Sequence, residues 1–372
     1  MLTRRQIPFF NYPALFAPDE QDLMAIIRDV LSRGAYILQR DLKEFEAALA
    51  KYLNVKHAFG MNDGTNAIVL ALRAAGIGPG DEVIVPSHTF IASVYPIKAL
   101  GATPVLVECG DDHLIDAKSV EAAITKNTKV ILPVHLNGRT CDMGPLEALA
   151  NKHGLKIVED AAQGIGSKYR GKFAGTFGLA GTFSFYPAKS LGCFGDGGAL
   201  VTNDDKVAEQ VELWRDHGRN KEGMVADWGT NCRLDNVQAA VLNYKLKKFD
   251  AAIARRREIA RQYDRRLSKI SELILPPAPD SQPDHFDVFQ NYELQAIRRD
   301  ALRAYLEENG VRTLLQWGGH AVHQFPNLGF KVDLPKTTLM TSRFLMLPMN
   351  TSLSDDDITY ICDVIERFHQ KA

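Results

Sequence analysis

Ile157-Val158-Glu159-Asp160-Ala161-Ala162-Gln163 is a short apolar run that ends in two acids and a small-residue turn. Further along, Thr182-Phe183-Ser184-Phe185-Tyr186-Pro187-Ala188-Lys189-Ser190-Leu191-Gly192 carries a second apolar run straight into a proline and a lysine, and Gly195-Asp196-Gly197-Gly198 opens a third. Runs this short, rich in β-branched and aromatic residues, read as buried strands. Outward from them, similar runs occupy 83–86, 104–107, 130–134 and 199–202. Amphipathic stretches at 67–75, 118–125 and 145–153 lie between several of the runs. Alternation of this kind, from about 55 to 203, predicts crossover units feeding a mostly parallel sheet with helices on both faces. Such sheets bind ligands beyond the carboxyl ends of their strands, which is where the chemistry is expected.

A second region begins near Arg233. Residues 235–270 contain neither Pro nor Gly, and Leu242, Leu246, Phe249 and Ile253 recur at spacings of four, three and four. That predicts one long helix, or two joined, with a single buried stripe. Lys245, Lys247, Lys248, Arg255, Arg256, Arg257, Arg261, Arg265 and Arg266 are expected on its solvated face. Asp250, Glu258 and Asp264 interrupt the basic run and count against a nucleic-acid surface. Four prolines in 275–283 predict a surface link. Ser354 reads as an N-cap before Asp355-Asp356-Asp357, with Ile358, Ile361, Cys362, Ile365 and Phe368 on the buried face of the last helix. The expected division is a large domain of residues 1–245, N-terminal segment included, and a smaller C-terminal α+β domain of residues 246–372.

Composition narrows the function. The 372 residues carry 44 Lys+Arg against 45 Asp+Glu, a formal net charge of −1, and are 45% hydrophobic, which suits a globular chain rather than a disordered one. A near-neutral balance argues against a nucleic-acid partner. No apolar run approaches the ~18 residues of a membrane span. Met1-Leu2-Thr3-Arg4-Arg5 is basic, but Pro8, Asn11 and Pro13 break the stretch that would form a signal peptide, so a cytoplasmic protein is expected. Cys109, Cys141, Cys193, Cys232 and Cys362 are odd in number and widely spaced, which disfavours disulfides and a metal site. Two glycine motifs mislead. Gly166 to Lys172 nearly spells a phosphate loop, but Phe173 stands where a Ser or Thr would hold magnesium. Gly76-Ile77-Gly78-Pro79-Gly80 follows a helix instead of opening one, so it reads as a helix stop.

Four strand-end segments then converge on one chemistry. Asn62-Asp63-Gly64-Thr65-Asn66 precedes a helix and can bind an anion, although many helices begin with capped turns. Asp160 ends a buried strand; by itself it reads first as a helix cap or an ion-pair partner. Lys189 follows an apolar strand and Pro187, where burial would lower its pKa toward a neutral amine. Phe90, in Pro86-Ser87-His88-Thr89-Phe90, offers an aromatic wall or a plain core residue. Together they supply what pyridoxal 5'-phosphate (PLP) needs: an amine to hold it, an acid facing its pyridine nitrogen, a phosphate cradle and a flat apolar wall. An opposite charge within hydrogen-bond reach shifts a pKa by roughly 1–3 units, enough to keep the ring protonated at neutral pH.

The runs Glu159-Asp160-Ala161-Ala162-Gln163, Phe183-Ser184-Phe185-Tyr186-Pro187-x-Lys189-x-Leu191-Gly192 and Gly195-Asp196-Gly197-Gly198-Ala199 resemble the sugar-nucleotide aminotransferases of the DegT/DnrJ/EryC/StrS group. Gly34-x-Tyr36-Ile37-Leu38, Gly78-Pro79-Gly80-Asp81-Glu82-Val83-Ile84, and Asn231-x-Arg233-Leu234-Asp235 with Gln238-Ala239-Ala240 extend the resemblance over essentially the whole chain. It implies a fold-type I PLP enzyme, active as a homodimer with sites at the subunit interface. By the same resemblance Lys189 binds the cofactor and shuttles the proton, Asp160 pairs with the pyridine nitrogen, and Gln163 lies near the phenolic oxygen. Gly64, Thr65 and Ser184 would hold the phosphate, with Asn231 reaching in from the partner subunit, and Phe90 would stack on the ring. Arg233 and His323 match positions near the sugar nucleotide.

The implied reaction takes an amine from an amino acid, usually L-glutamate, and passes it to a keto group of a nucleotide-linked sugar. The product class is an amino sugar for surface polysaccharide, such as lipopolysaccharide O-antigen, or for a glycosylated metabolite. Asp196-Gly197-Gly198 with Tyr186-Pro187 before Lys189 is similar to members that aminate carbon 3; carbon-4 enzymes more often carry Glu at the place of Asp196. Gln39-Arg40-Asp41, Ala188, Cys232 and 315–320 depart from the group's usual residues on the sugar side. Dehydrating relatives carry His in place of the lysine, so Lys189 counts against sugar deoxygenation. A regulator that binds without turnover would leave the full catalytic set unexplained.

Overall fold

The computed structural model describes residues 4–370. Met1-Leu2-Thr3, part of the N-terminal stretch considered above, and the outer limits of the two expected domains lie outside them. Thirteen strands follow in chain order: β1 (His57–Met61), β2 (Glu82–Pro86), β3 (Thr103–Val107), β4 (Thr128–Ile131), β5 (Lys156–Asp160), β6 (Lys168–Tyr169), β7 (Lys172–Phe173), β8 (Ala180–Ser184), β9 (Gly198–Thr202), β10 (Leu273–Ile274), β11 (His285–Phe286), β12 (Tyr292–Ala296) and β13 (Phe344–Leu347). Seven of them form one sheet in the order β1-β9-β8-β5-β4-β2-β3. β8, β5, β4, β2 and β3 run parallel, and only β9 opposes the rest. The carboxyl ends of β1, β2, β4, β5 and β8 therefore share one edge. The order reverses between β2 and β4, so a crevice opens there.

All six runs read as strands lie in this sheet; β1 went unread. Its sequence, His57-Ala58-Phe59-Gly60-Met61, hides a strand behind an internal glycine. A Cβ on Gly60 would stand 2.6 Å from Leu42 Cδ1 and 3.0 Å from Leu234 Cβ, so the close packing there favours glycine. The near-phosphate loop is the turn of the β6–β7 hairpin, with Arg170 and Gly171 at positive φ (48° and 79°), a geometry that suits a two-residue hairpin turn.

Residues 235–270 form two helices, Asn236–Leu246 and Phe249–Leu267, and the Leu242, Leu246, Phe249, Ile253 stripe is buried along both. Each such side chain contributes roughly 1.5–3 kcal/mol of burial before entropy is counted. The solvated face needs correction at two positions, since Arg256 and Arg257 are buried. Arg256 Nη1 donates to the carbonyls of Phe289, Gln290 and Met349, and Arg257 Nη1 to that of Asp287. These carbonyls sit inside the protein outside any strand, and buried acceptors need donors.

A second core gathers around β10-β12-β13 and the Asp355–Gln370 helix, with Leu294, Leu345, Ile361 and Ile365 fully buried. Ile7 packs into the same core and bridges to Val311. Ser354 caps the last helix, its Oγ accepting the Asp357 N–H at 3.1 Å. All five cysteines are buried and free. Among the described residues no helix is long and apolar enough to cross a membrane, and no cluster of three His, Cys, Asp or Glu is placed to hold a metal.

Candidate active site

β1 ends at Met61, the chain turns through Asn62-Asp63, and the Gly64–Ala74 helix begins. Asp63 accepts the Asn66 N–H at 2.7 Å. A Cβ on Gly64 would meet Ser184 Cβ at 3.1 Å, and one on Gly198 would meet the Asp63 carbonyl carbon at 2.4 Å. Helix start, β8 end and β9 start are thus pressed together in a way only glycine permits. The first-turn N–H groups of Gly64 and Thr65, the positive end of the helix and the Ser184 hydroxyl make a cradle for an anion.

Asp160 is buried at the end of β5. The Ser93 hydroxyl donates to its Oδ2 at 2.6 Å and the Ala162 N–H to its Oδ1 at 3.0 Å. Ser93 shares a 2.6 Å hydrogen bond with Thr89, one residue before Phe90. Lys189 is half-buried in the turn after β8, where its N–H donates to the Tyr186 carbonyl at 2.8 Å. Burial pushes its amine below the ordinary lysine value, and the charge of Asp160 opposes that shift. The result is an amine nearer neutrality, as a nucleophile toward an aldehyde requires.

Gln163 follows in the same turn as Asp160. Its Oε1 accepts the Asn137 N–H at 2.8 Å and the Asn291 amide at 3.2 Å, while its NH2 end donates to Gln316 Oε1 at 3.5 Å and keeps a second N–H to donate. Phe90 is 53% exposed and stacks on Trp317 at 6.4 Å and 27°. Behind this wall lies a polar hub invisible in the sequence. The buried Glu293 meets His88 at 3.1 Å, His113 at 3.3 Å, Gln316 at 2.8 Å and Asn137 at 2.9 Å.

The substrate-side residues lie less openly. Arg233 is turned onto Asp216 at 2.7 Å, beside Arg219. Both ring nitrogens of His323 are engaged, one with Ser87 at 2.6 Å and the other with Thr338 at 2.9 Å. Asn231 is exposed and bridges to Asp216; the carbonyl of its neighbour Cys232 accepts the Asn62 N–H at 2.9 Å. Ser93, in the first turn of the Ile91–Ala99 helix, and Asn137, Asn291, Gln316 and Trp317 complete the site; none carries a local signal of its role.

This geometry suits a fold-type I PLP transaminase: one sheet edge presents an amine and a buried acid, the two groups that would hold the cofactor's aldehyde and face its ring nitrogen. The residues fit the group, with a glycine-lined cradle at one end and an acid with spare acceptor capacity at the other. Comparison with known proteins agrees. A model of the DegT/DnrJ/EryC1/StrS aminotransferase family matches residues 18–366. The dTDP-3-amino-3,4,6-trideoxy-alpha-D-glucose transaminase of Streptomyces venezuelae is 41% identical, over 98% of this chain and 97% of its own. A pleiotropic regulatory protein of Geobacillus stearothermophilus is 38% identical, over 98% and 99%. The crystal structure of S. venezuelae DesV in complex with a ketimine intermediate superposes with a TM-score of 0.94 at 40% identity, covering 99% of each chain. The chain belongs to the DegT/DnrJ/EryC1/StrS aminotransferase family, and its cofactor is PLP.

Proposed function

We propose that this transaminase carries an amino group from L-glutamate to the carbon-3 keto group of a nucleotide-linked sugar. The product would be an amino sugar for surface polysaccharide or a glycosylated metabolite, made in the cytoplasm. The observation that carries the reading is the near full-length similarity to a relative named for a 3-amino sugar, supported by an amine, a buried acid, a helix-start cradle and an exposed aromatic gathered at one sheet edge. When bound, PLP supplies an electron sink for the carbon that loses its proton. Asp160 holds the proton on the ring nitrogen. Gln163 orients the phenolic side through its NH2 end, Phe90 covers one ring face, and Gly64, Thr65 and Ser184 fix the phosphate. Lys189 Nζ takes and returns the proton that moves during amine transfer. Arg233 and His323 border the sugar side.

The active unit is a homodimer with Asn231 serving the partner's site. The loop before Asn231 supports this, since Met224, Val225 and Trp228 are 67%, 71% and 88% exposed, and apolar groups so displayed mark an interface. The domain boundary falls near 245/246, where the Asn236–Leu246 helix gives way to the one that enters the second core.

Replacing Lys189 by Ala tests the reading. Turnover is expected to fall by about 10²–10⁴-fold from loss of the proton shuttle alone, and the absorption band of lysine-bound cofactor should vanish. Normal turnover by the purified variant would sink it. The similarity to a protein named as a regulator favours a second reading, binding without turnover. That reading requires the band to form but no amino acid to convert it.

A further inference from the structure

Glu293 is buried on β12, yet three of its partners come from loops of the large sheet. His88 follows β2, His113 follows β3 and Asn137 follows β4, while Gln316 arrives from the 315–320 loop. Burying a carboxylate is costly, and an apolar side chain would fill a core more readily. The acid therefore calls for a reason beyond packing. An ionised carboxylate differs from an amide or a hydroxyl in one respect: it only accepts hydrogen bonds.

That property orders a chain of amides. Asn137 and Gln316 must turn their NH2 ends to Glu293, and they donate to it at 2.9 and 2.8 Å. Their carbonyl ends then face the other way. Asn137 Oδ1 accepts the amides of Gln316 at 2.8 Å and Asn291 at 3.0 Å, and the same Asn291 amide reaches Gln163 Oε1 at 3.2 Å. Gln316 Oε1 accepts the Gln163 NH2 at 3.5 Å. The Asn137 backbone N–H, 2.8 Å from Gln163 Oε1, sets the same polarity. Its turn is pressed against the segment leading into β12: a Cβ on Gly138 would stand 2.5 Å from the Gln290 backbone nitrogen. Both ends of the Gln163 amide are thus held by residues tied to one carboxylate. Taken alone, each amide would fill its space as well when flipped, with donor and acceptor exchanged. A flip of Asn137 would set its NH2 against that of Asn291, and a flip of Gln316 would do the same to Gln163. Glu293 forbids both.

Resting on the reading of Gln163 given above, we propose that Glu293 is a positioning residue. By orienting Asn137 and Gln316 it keeps the remaining N–H of Gln163 available as a donor to the phenolic oxygen of PLP. A donor at that oxygen favours its ionised form, whereas a flipped amide would set carbonyl lone pairs against it. Glu293 acts only through Gln163, from the buried side of the amide chain.

The test uses the holoenzyme and follows the absorption band of lysine-bound cofactor as pH is raised. Loss of a hydrogen bond to the ionised oxygen should move the spectral transition to higher pH by about one unit. Q163A should show that rise, E293Q a rise of the same sign, and the E293Q/Q163A pair no more than Q163A alone. E293D, which keeps a group that only accepts, should recover part of the shift. N137G retains the backbone N–H, suits the positive φ of 59° at that position and cuts the tie to Glu293. It should shift the transition in the same direction, and it decides the matter if E293Q does not fold. A transition in folded E293Q or N137G that coincides with the unmodified enzyme overturns the inference, as do additive shifts in the pair. If Q163A leaves the transition unmoved, the reading of Gln163 itself falls and takes this inference with it. That outcome is distinct from a shift in Q163A with none in E293Q and N137G, which removes Glu293 alone.

Discussion

Glu159 and Asp160 are consecutive, both buried, and both at the end of β5, yet they face opposite sides of the sheet, as neighbours in a strand must. Glu159 has every acceptor site taken. His135 reaches it at 2.8 Å, and the N–H groups of Gly175, Phe177 and Gly178 donate to it at 2.7, 2.6 and 2.7 Å. A carboxylate offers about four lone-pair sites, so nothing is left for a ligand. Asp160 has only the Ser93 hydroxyl and the Ala162 N–H. Two sites remain, and its charge acts on the Lys189 amine. A saturated buried acid fastens structure; one with acceptors in reserve can take a partner, and the protonated ring nitrogen of PLP is the partner proposed for it.

The contrast can be broken by exchanging each acid for its amide. Glu159→Gln leaves three backbone donors and a histidine facing a neutral, half-mismatched group. Breaking a buried ionic arrangement of this kind costs about 3–5 kcal/mol, so chemical denaturation should show a loss of that order. Turnover per folded molecule should persist. A large turnover loss at unchanged stability would mean that Glu159, too, serves the reaction. Asp160→Asn should do the reverse. It removes the charge that holds the ring proton, a shift of roughly 1–3 pKa units, so turnover should drop about 10- to 1000-fold with little change in the denaturation midpoint. Steady-state kinetics beside an unfolding curve would expose a failure of either half.

How far the sequence carries depends on whether a feature is local. The strand runs at 83–86, 157–158 and 182–185 announce themselves by composition, and each lies in the sheet. Lys189 and Asp160 stand out because each terminates such a run. Periodicity fails at Arg256 and Arg257, since a helical wheel records side-chain direction and not the needs of carbonyls on other segments. Those carbonyls at Asp287, Phe289, Gln290 and Met349 belong to chain far from the helix in sequence. The supports of the site are hidden for the same reason. Ser93 lies 67 positions from Asp160, and His88 lies 205 from Glu293. No local pattern links residues at such separations; only the folded sheet edge does.

Glu293 sharpens the comparison as a third buried acid, saturated like Glu159 but by side chains alone, two histidines and two amides. Burial pushes its carboxyl pKa up, yet the charges and hydrogen bonds of His88 and His113 outweigh this and hold it well below the usual glutamate range. A carboxyl lowered by folding adds stability that is present above its unfolded pKa, about 4.3, and is lost as pH falls toward the folded value. Below pH 4 the unfolded chain takes up a proton at this position that the native chain refuses. Stability should therefore fall with decreasing pH by up to about 1.4 kcal/mol per pH unit from this residue. Glu293→Gln, less stable at neutral pH, should show a shallower acid slope in urea titrations between pH 5 and pH 3. An unaltered slope would mean that the hub does not hold Glu293 ionised, and that its saturation is of the same neutral-donor kind as the backbone cage around Glu159.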